Sequence, residues 1–141
     1  MDSAYEEVGR KTKFGVYIPS ELARELDELM KSLGIENRSK LLQESLRLFI
    51  IENKWSIAKE VVGSINILYN HKIGDSDKEL TELQHDFLDV ISSAMHIHLD
   101  KERCLLIVAV KGSSNRVKEL IGRIHSVKGV LLVRSTLMAT Q

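Results

Sequence analysis

Two histidines one residue apart, followed by a cysteine, are the residues of this chain best placed to do chemistry. They lie in Met95–Cys104, which reads Met-His-Ile-His-Leu-Asp-Lys-Glu-Arg-Cys. Polarity alternates along its first half. Met95, Ile97 and Leu99 fall on one face of a strand, and His96, His98 and Asp100 fall on the other. The two imidazoles then leave the chain on one side with Cα atoms roughly 7 Å apart, which suits neighbouring ligands of one metal ion. Lys101, Glu102 and Arg103 make a tight connection to a second strand, Cys104–Lys111. With a three-residue connection, Asp100 stands opposite Cys104 and the sulfur emerges on the histidine face, diagonal to His98. An even-numbered connection turns it to the other face, so the metal reading depends on register. Imidazole plus thiolate suits Zn, Cu(II) or Ni(II), which geometry separates better than raw affinity. A strand with two solvated histidines on its polar face accounts for the His-x-His pattern equally well.

The flanking segments supply a frame for this hairpin. Val61–Tyr69 reads as a strand, and Gly74-Asp75-Ser76-Asp77 as a turn with cap candidates. Asp77–Ala94 reads as a helix with a stripe of Leu80, Leu83, Phe87, Ile91 and Ala94. After the two strands comes a short helix, Asn115–His125, with Val117, Leu120, Ile121 and Ile124. Gly129 opens a last strand, Val130–Thr136. The order βαββαβ is the ferredoxin-like split pattern, with both helices on one face of a four-stranded sheet. Cys104–Val110 is almost wholly apolar, as a central strand buried on both sides would be. The open sheet face is therefore expected to pack on another chain.

His85 lies about 140° from the centre of its helix's stripe at roughly 100° per residue. It points away from its own core. Met95, Ile97 and Leu99 are expected to face the helices, which puts His96 and His98 on the open face. His85 then reaches them only from a second subunit, and taken alone it reads as a solvated helix residue. His71 and His125 read as surface residues.

The bulk properties are those of an ordinary soluble chain. It has 141 residues, 43% hydrophobic and 28% charged, with 20 basic and 20 acidic side chains. The neutral balance argues against nucleic-acid binding through bulk charge but leaves room for a local basic patch. One cysteine excludes an internal disulfide and fits a reducing compartment. No apolar run is long enough to span a membrane. The first ten residues carry mixed charge and no apolar core, unlike a secretory signal. The expectation is a cytoplasmic protein.

The N-terminal third is a strand and two helices after an arm, Met1–Lys11. In Lys13–Ile18, Phe14, Val16 and Ile18 alternate with Lys13, Gly15 and Tyr17. A lone strand must pair with something, here a second copy of itself. Ser20 is the expected N-cap of a helix carrying Leu22, Leu26, Leu29, Met30 and Leu33, and Gly34 ends it. Ser39 is the expected cap of a second helix running to about Asn53, with Leu41, Leu42, Leu46, Phe49 and Ile50 on its buried side. So small a unit cannot bury a core alone. The pattern resembles the ribbon-helix-helix DNA-binding domains. The resemblance implies that Lys13, Gly15 and Tyr17 face the major groove, and that Asn37, Arg38 and Ser39 hold a phosphate at a helix N-terminus. Gly15 departs from the family, which often carries Arg, Thr or Ser on that face.

Taken over nearly its full length, the chain resembles the nickel-responsive transcriptional regulators, the NikR family. These join a ribbon-helix-helix to a ferredoxin-like, ACT-type metal-binding domain. The resemblance implies an α+β fold with residues 1–54 as the DNA-binding domain and 55–141 as the nickel-binding and tetramerisation domain. It implies Ni(2+) as cofactor, with His85 of one subunit and His96, His98 and Cys104 of another as ligands, and Gln84 supporting them. Leu106 stands where relatives often carry an acidic residue. Lys40 replaces one of two acidic residues, the other matching Glu44, that hold an additional cation in some relatives. The implied protein is a homotetramer, a dimer of dimers, that binds double-stranded operator DNA when nickel is present and represses nickel-uptake genes. One alternative is a ribbon-helix-helix regulator whose ACT-like domain senses another metal or a small organic ligand. A metalloenzyme fits poorly, because four protein donors leave no open position for substrate.

Overall fold

Two amphipathic helices open the described part of the chain, which in this computed structural model is residues 15–140. Lys13 and the arm lie outside it. Gly15–Pro19 carries no strand in the single chain, so the described part of the strand expected at Lys13–Ile18 is extended chain without a pairing partner. Helix α1, Ser20–Leu33, starts after Pro19, and the Ser20 side chain does not cap it. It ends at Gly34, in the left-handed conformation at φ 67°, where the Ile35 N–H donates to the Met30 carbonyl at 2.9 Å. Glycine takes that conformation without the penalty a Cβ would bring.

Helix α2 spans Arg38–Lys54. Its cap is Asn37 rather than Ser39: the Asn37 Oδ1 accepts from the Lys40 N–H at 2.9 Å. This satisfies one of the donors that a helix start leaves without an intrahelical partner. The apolar stripes expected to be buried are largely exposed. Met30 is the one buried residue of α1, and α2 has none. Leu22, Leu29, Leu33, Leu42, Leu46, Phe49 and Ile50 all lie open. The chain divides into two compact units between Leu42 and Gln43, within α2.

A 3₁₀ turn, Trp55–Ile57, leads into β1 (Glu60–Asn70), α3 (Ser76–Asp86), β2 (Ile91–His98), β3 (Arg103–Ser113), α4 (Ser114–Ser126) and β4 (Val130–Ala139). The four strands form one antiparallel sheet in the order β2-β3-β1-β4. This is the expected βαββαβ arrangement. One helix is shorter than expected. The 3.6-residue stripe continues formally through Phe87, Ile91 and Ala94, but α3 stops at Asp86. Ile91 pairs with Val110 and Ala94 with Val108 in the ladder with β3. The β-branched and serine-rich run from Val90 to Ser93 gains more from those pairings than from another helical turn.

The core lies between the helices and one face of the sheet. Ile65, Ile67, Tyr69, Cys104, Leu106, Val108 and Val110 meet Leu80, Leu83, Phe87, Val117, Leu120 and Ile124 there, all buried. Burying each of the larger aliphatic side chains stabilises the fold by about 1.5–3 kcal/mol. Gly63 is required by close approach: a Cβ there would lie 2.0 Å from the Thr136 carbonyl oxygen. Ser76, fully buried at the start of α3, donates from Oγ to the Asn70 carbonyl at 3.0 Å. That bond pins the first turn of α3 to the end of β1.

Candidate metal centre

The β2–β3 hairpin positions three donors. His98 pairs directly with Cys104 and His96 with Leu106. The expected pairing of Asp100 with Cys104 is out by two residues. An even slip preserves the face, so Cys104 still shares a side with both histidines, directly opposite His98 rather than diagonal to it. Asp100 is not a strand residue beside the histidines. It staples the loop: its carboxylate accepts from the backbone N–H of Glu102 at 2.9 Å and of Arg103 at 2.7 Å, and from Arg103 Nε at 2.8 Å. These donors hold its pKa down to about 2, the backbone N–H groups contributing most.

The absolute face is the reverse of the expected one. Cys104, Leu106, Val108 and Val110 are the buried positions of β3, so their partners His96 and His98 lie on the helix side. Met95, Ile97 and Leu99 lie on the open face, at least a third exposed. The physical reason is that Leu105 and Ile107 are as apolar as Leu106 and Val108, so the sequence of β3 did not indicate which face the helices cover.

The ligand-capable atoms of His96, His98 and Cys104 all lie within 4.8 Å of one another. Cys104 Sγ is 3.5 Å from His98 Nδ1. Metal–ligand bonds near 2 Å place adjacent donors of a four-coordinate ion roughly 3 Å apart, so small side-chain rotations suffice to close the set. Burial pushes the Cys104 thiol up, with the Asp77 charge adding to it, while the Tyr69 hydroxyl opposes it. Metal binding must therefore displace the thiol proton. Two nitrogens and a sulfur fit nickel, and a further donor completes four-coordination.

His85 does not join this group. It lies exposed on α3, a helix on the same side of the sheet as the donors, and is not among the groups brought within ligand distance of one another. Its separation therefore comes from its position on the helix, not from lying across the sheet. Gln84 lines a cleft of about 270 Å³ together with Tyr69, Asp77, Leu80, His96 and Leu106. Its amide donates to the Leu80 carbonyl at 3.2 Å.

Two residues of this neighbourhood were not foreseen. The buried Tyr69 lies 3.0 Å through its hydroxyl from His96 Nε2, and it donates to Asp77 Oδ1 at 2.6 Å. Burial, and then the bond to Asp77, raise the Tyr69 pKa well above the usual phenol range. Nothing in local spacing links positions 69, 77 and 96; only the alternation that turns Tyr69 inward was legible. His71, expected at the surface, is partly buried and holds the hairpin loop, its Nε2 lying 2.7 Å from the Lys101 carbonyl.

Of the residues expected to contact DNA, Lys13 is outside the described region. Gly15 and Tyr17 lie in extended chain, with Tyr17 fully exposed. Asn37 is engaged as a cap, Arg38 is ion-paired with Asp27, and Ser39 is in the first turn of α2. No helix of the described residues is long and apolar enough to cross a membrane.

Residues 62–138 match the family described as "NikR C terminal nickel binding domain". The chain is 43% identical over 119 residues to a protein of Pyrococcus abyssi, covering 84% of this chain and 86% of that one. It is 44% identical over 120 residues to one of Thermococcus onnurineus, covering 84% and 87%. It is 37% identical over 128 residues to one of Methanocaldococcus jannaschii, covering 89% and 91%. All three bear the name "Putative nickel-responsive regulator". The βαββαβ domain with its His-His-Cys cluster is thus a nickel-binding domain, and the chain belongs to the nickel-responsive regulator family, a family of regulators rather than enzymes.

Proposed function

We propose that this chain is a nickel-dependent repressor that binds double-stranded operator DNA and controls nickel-uptake genes in the cytoplasm. The observation that carries the reading is the convergence of His96, His98 and Cys104 within 4.8 Å, in a chain of this family. These three are ligands from one protomer, and His85 of a neighbouring protomer supplies the fourth donor. Bound nickel supplies a divalent charge that favours the thiolate and neutral imidazoles, and ties two protomers in one geometry.

The DNA-binding domain is residues 1–54, and the nickel-binding domain is residues 55–141. Two copies of the first share one core through the exposed stripes of α1 and α2. Lys13, Gly15 and Tyr17 of the paired strands enter the major groove, and Asn37, Arg38 and Ser39 approach a phosphate. Arg38 exchanges Asp27 for that phosphate. The open sheet face, with Met95, Ile97 and Leu99 exposed, joins nickel-binding domains into a homotetramer, a dimer of dimers. Nickel and operator affinities then enhance each other reciprocally.

Titration of a labelled operator duplex with the protein, with and without nickel, tests the reading. The expected result is tighter binding with nickel; equal affinity in both arms overturns the switch. The donor cluster favours this reading over sensing of an organic ligand, for which His96→Ala would leave the DNA response intact.

A further inference from the structure

We propose that Asp77, from the first turn of α3, is a positioning residue for nickel: through Tyr69 it sets which nitrogen of His96 is free to bind. The inference rests on His96 being a ligand. It starts from the proton inventory of three side chains. Tyr69 has one hydroxyl hydrogen and two neighbours within hydrogen-bond distance, Asp77 Oδ1 at 2.6 Å and His96 Nε2 at 3.0 Å. A carboxylate accepts and cannot donate. The single hydrogen of Tyr69 therefore goes to Asp77, and the phenol oxygen is left to accept. The group that donates to it is His96, through a proton on Nε2. Nδ1 then carries the lone pair, which makes it the metal-binding nitrogen.

The other polar side chain lining the cleft, Thr81, donates to the Asp77 carbonyl. Leu80, Ala94 and Leu106, which also line it, offer no polar side chain, and the Gln84 amide is held by the Leu80 carbonyl. Cys104 is the other polar group beside Tyr69; its buried thiol keeps its proton until metal binds, and S–H is a weak donor beside the imidazole N–H. Asp77 itself is held in place. Ser76 is bonded to Asn70, and the Asp77 carbonyl accepts from Thr81 Oγ1 at 2.7 Å. Metal-binding histidines are commonly oriented in this way through their second nitrogen, and loss of the partner costs about 10–100-fold in metal affinity.

The arrangement makes an uncommon prediction. With Asp77 removed, the Tyr69 hydroxyl is free to turn and donate to a metal donor instead, either His96 Nε2 or the Cys104 sulfur. Donation to Nε2 forces the imidazole proton onto Nδ1, the nitrogen that nickel needs. Asp77→Ala should therefore weaken nickel binding by about ten-fold or more. Adding Tyr69→Phe removes the misdirected donor, and the double variant should bind nickel more tightly than Asp77→Ala alone. Asp77→Asn keeps an accepting oxygen and should stay within about three-fold of the parent.

Nickel affinity by competition titration, and ¹⁵N shifts of the His96 ring in the metal-free full-length protein, give the two readouts. The parent should show a protonated Nε2, and Asp77→Ala a raised Nδ1–H fraction. Asp77 is mostly solvent-facing and Tyr69→Phe is isosteric, and circular dichroism confirms folding of each variant. Nickel binding by Asp77→Ala equal to the parent, or a double variant no better than the single, overturns the proposal. The ligand reading fails separately, if His96→Ala binds nickel as tightly as the parent.

Discussion

The helices α1 and α2 and the βαββαβ domain are built from equally apolar stripes but bury them very differently. In the domain, Phe87, Ile65, Val108 and Leu120 are essentially inaccessible to water. In α2, Phe49 is 65% and Ile50 60% exposed. A sheet with two helices on one face encloses a core within one chain, whereas two short helices do not reach that size. The difference separates the part of the molecule that encloses its own core from the part whose stripes stay open in a single chain, the part proposed to pair with a second copy. The metal centre sits on the first kind of scaffold, and the proposed DNA-reading surface on the second.

The largest expected effect sharpens this contrast directly. Phe87→Ala should destabilise the domain by about 3–5 kcal/mol, since it removes a fully buried ring that also lies beneath the Arg116 guanidinium, 4.0 Å from its centroid. Phe49→Ala should leave the domain's unfolding unchanged. It should instead weaken association, seen as a concentration-dependent melting transition that shifts to lower temperature. Denaturation at two protein concentrations checks both; a Phe49→Ala effect independent of concentration would break the comparison.

Cys104→Ala should lower nickel affinity by about 100-fold or more and abolish thiolate-to-nickel absorption, while the fold survives. Because the buried thiol must lose its raised-pKa proton on binding, nickel affinity of the parent should fall by about ten-fold for each pH unit lowered below neutrality, and faster once the histidines protonate. Isothermal titration in buffers of different ionisation enthalpy counts the released protons. Affinity independent of pH would mean that the thiol is not a ligand.

Asn37→Ala should cost about 1 kcal/mol, the usual loss for a side-chain cap, read in the thermal unfolding of α2. The smallest effect belongs to Asp100. Its pKa is lower in the folded state, about 2 against an ordinary 3.8. Its contribution is therefore complete above about pH 4 and lost as pH falls from there toward 2. Asp100→Asn should flatten the acid limb of the stability profile in that window, with little change at neutral pH.

The alternation at residues 95–98, the order βαββαβ and the glycine stop of α1 were all legible in the sequence, because each depends on local spacing or backbone chemistry. They were enough to put His96 and His98 on one side of a hairpin; that Cys104 joins them was decided by the strand register, which pairs it with His98. Local spacing states relative sides only. Which side faces the helices was decided by packing, because β3 is apolar on both faces and gave no preference. Where α3 stops was decided by strand pairing against β3. The meeting of Tyr69, Asp77 and His96 needed β1, α3 and β2 folded together, since hydrogen-bond partners across three elements leave no trace in sequence period.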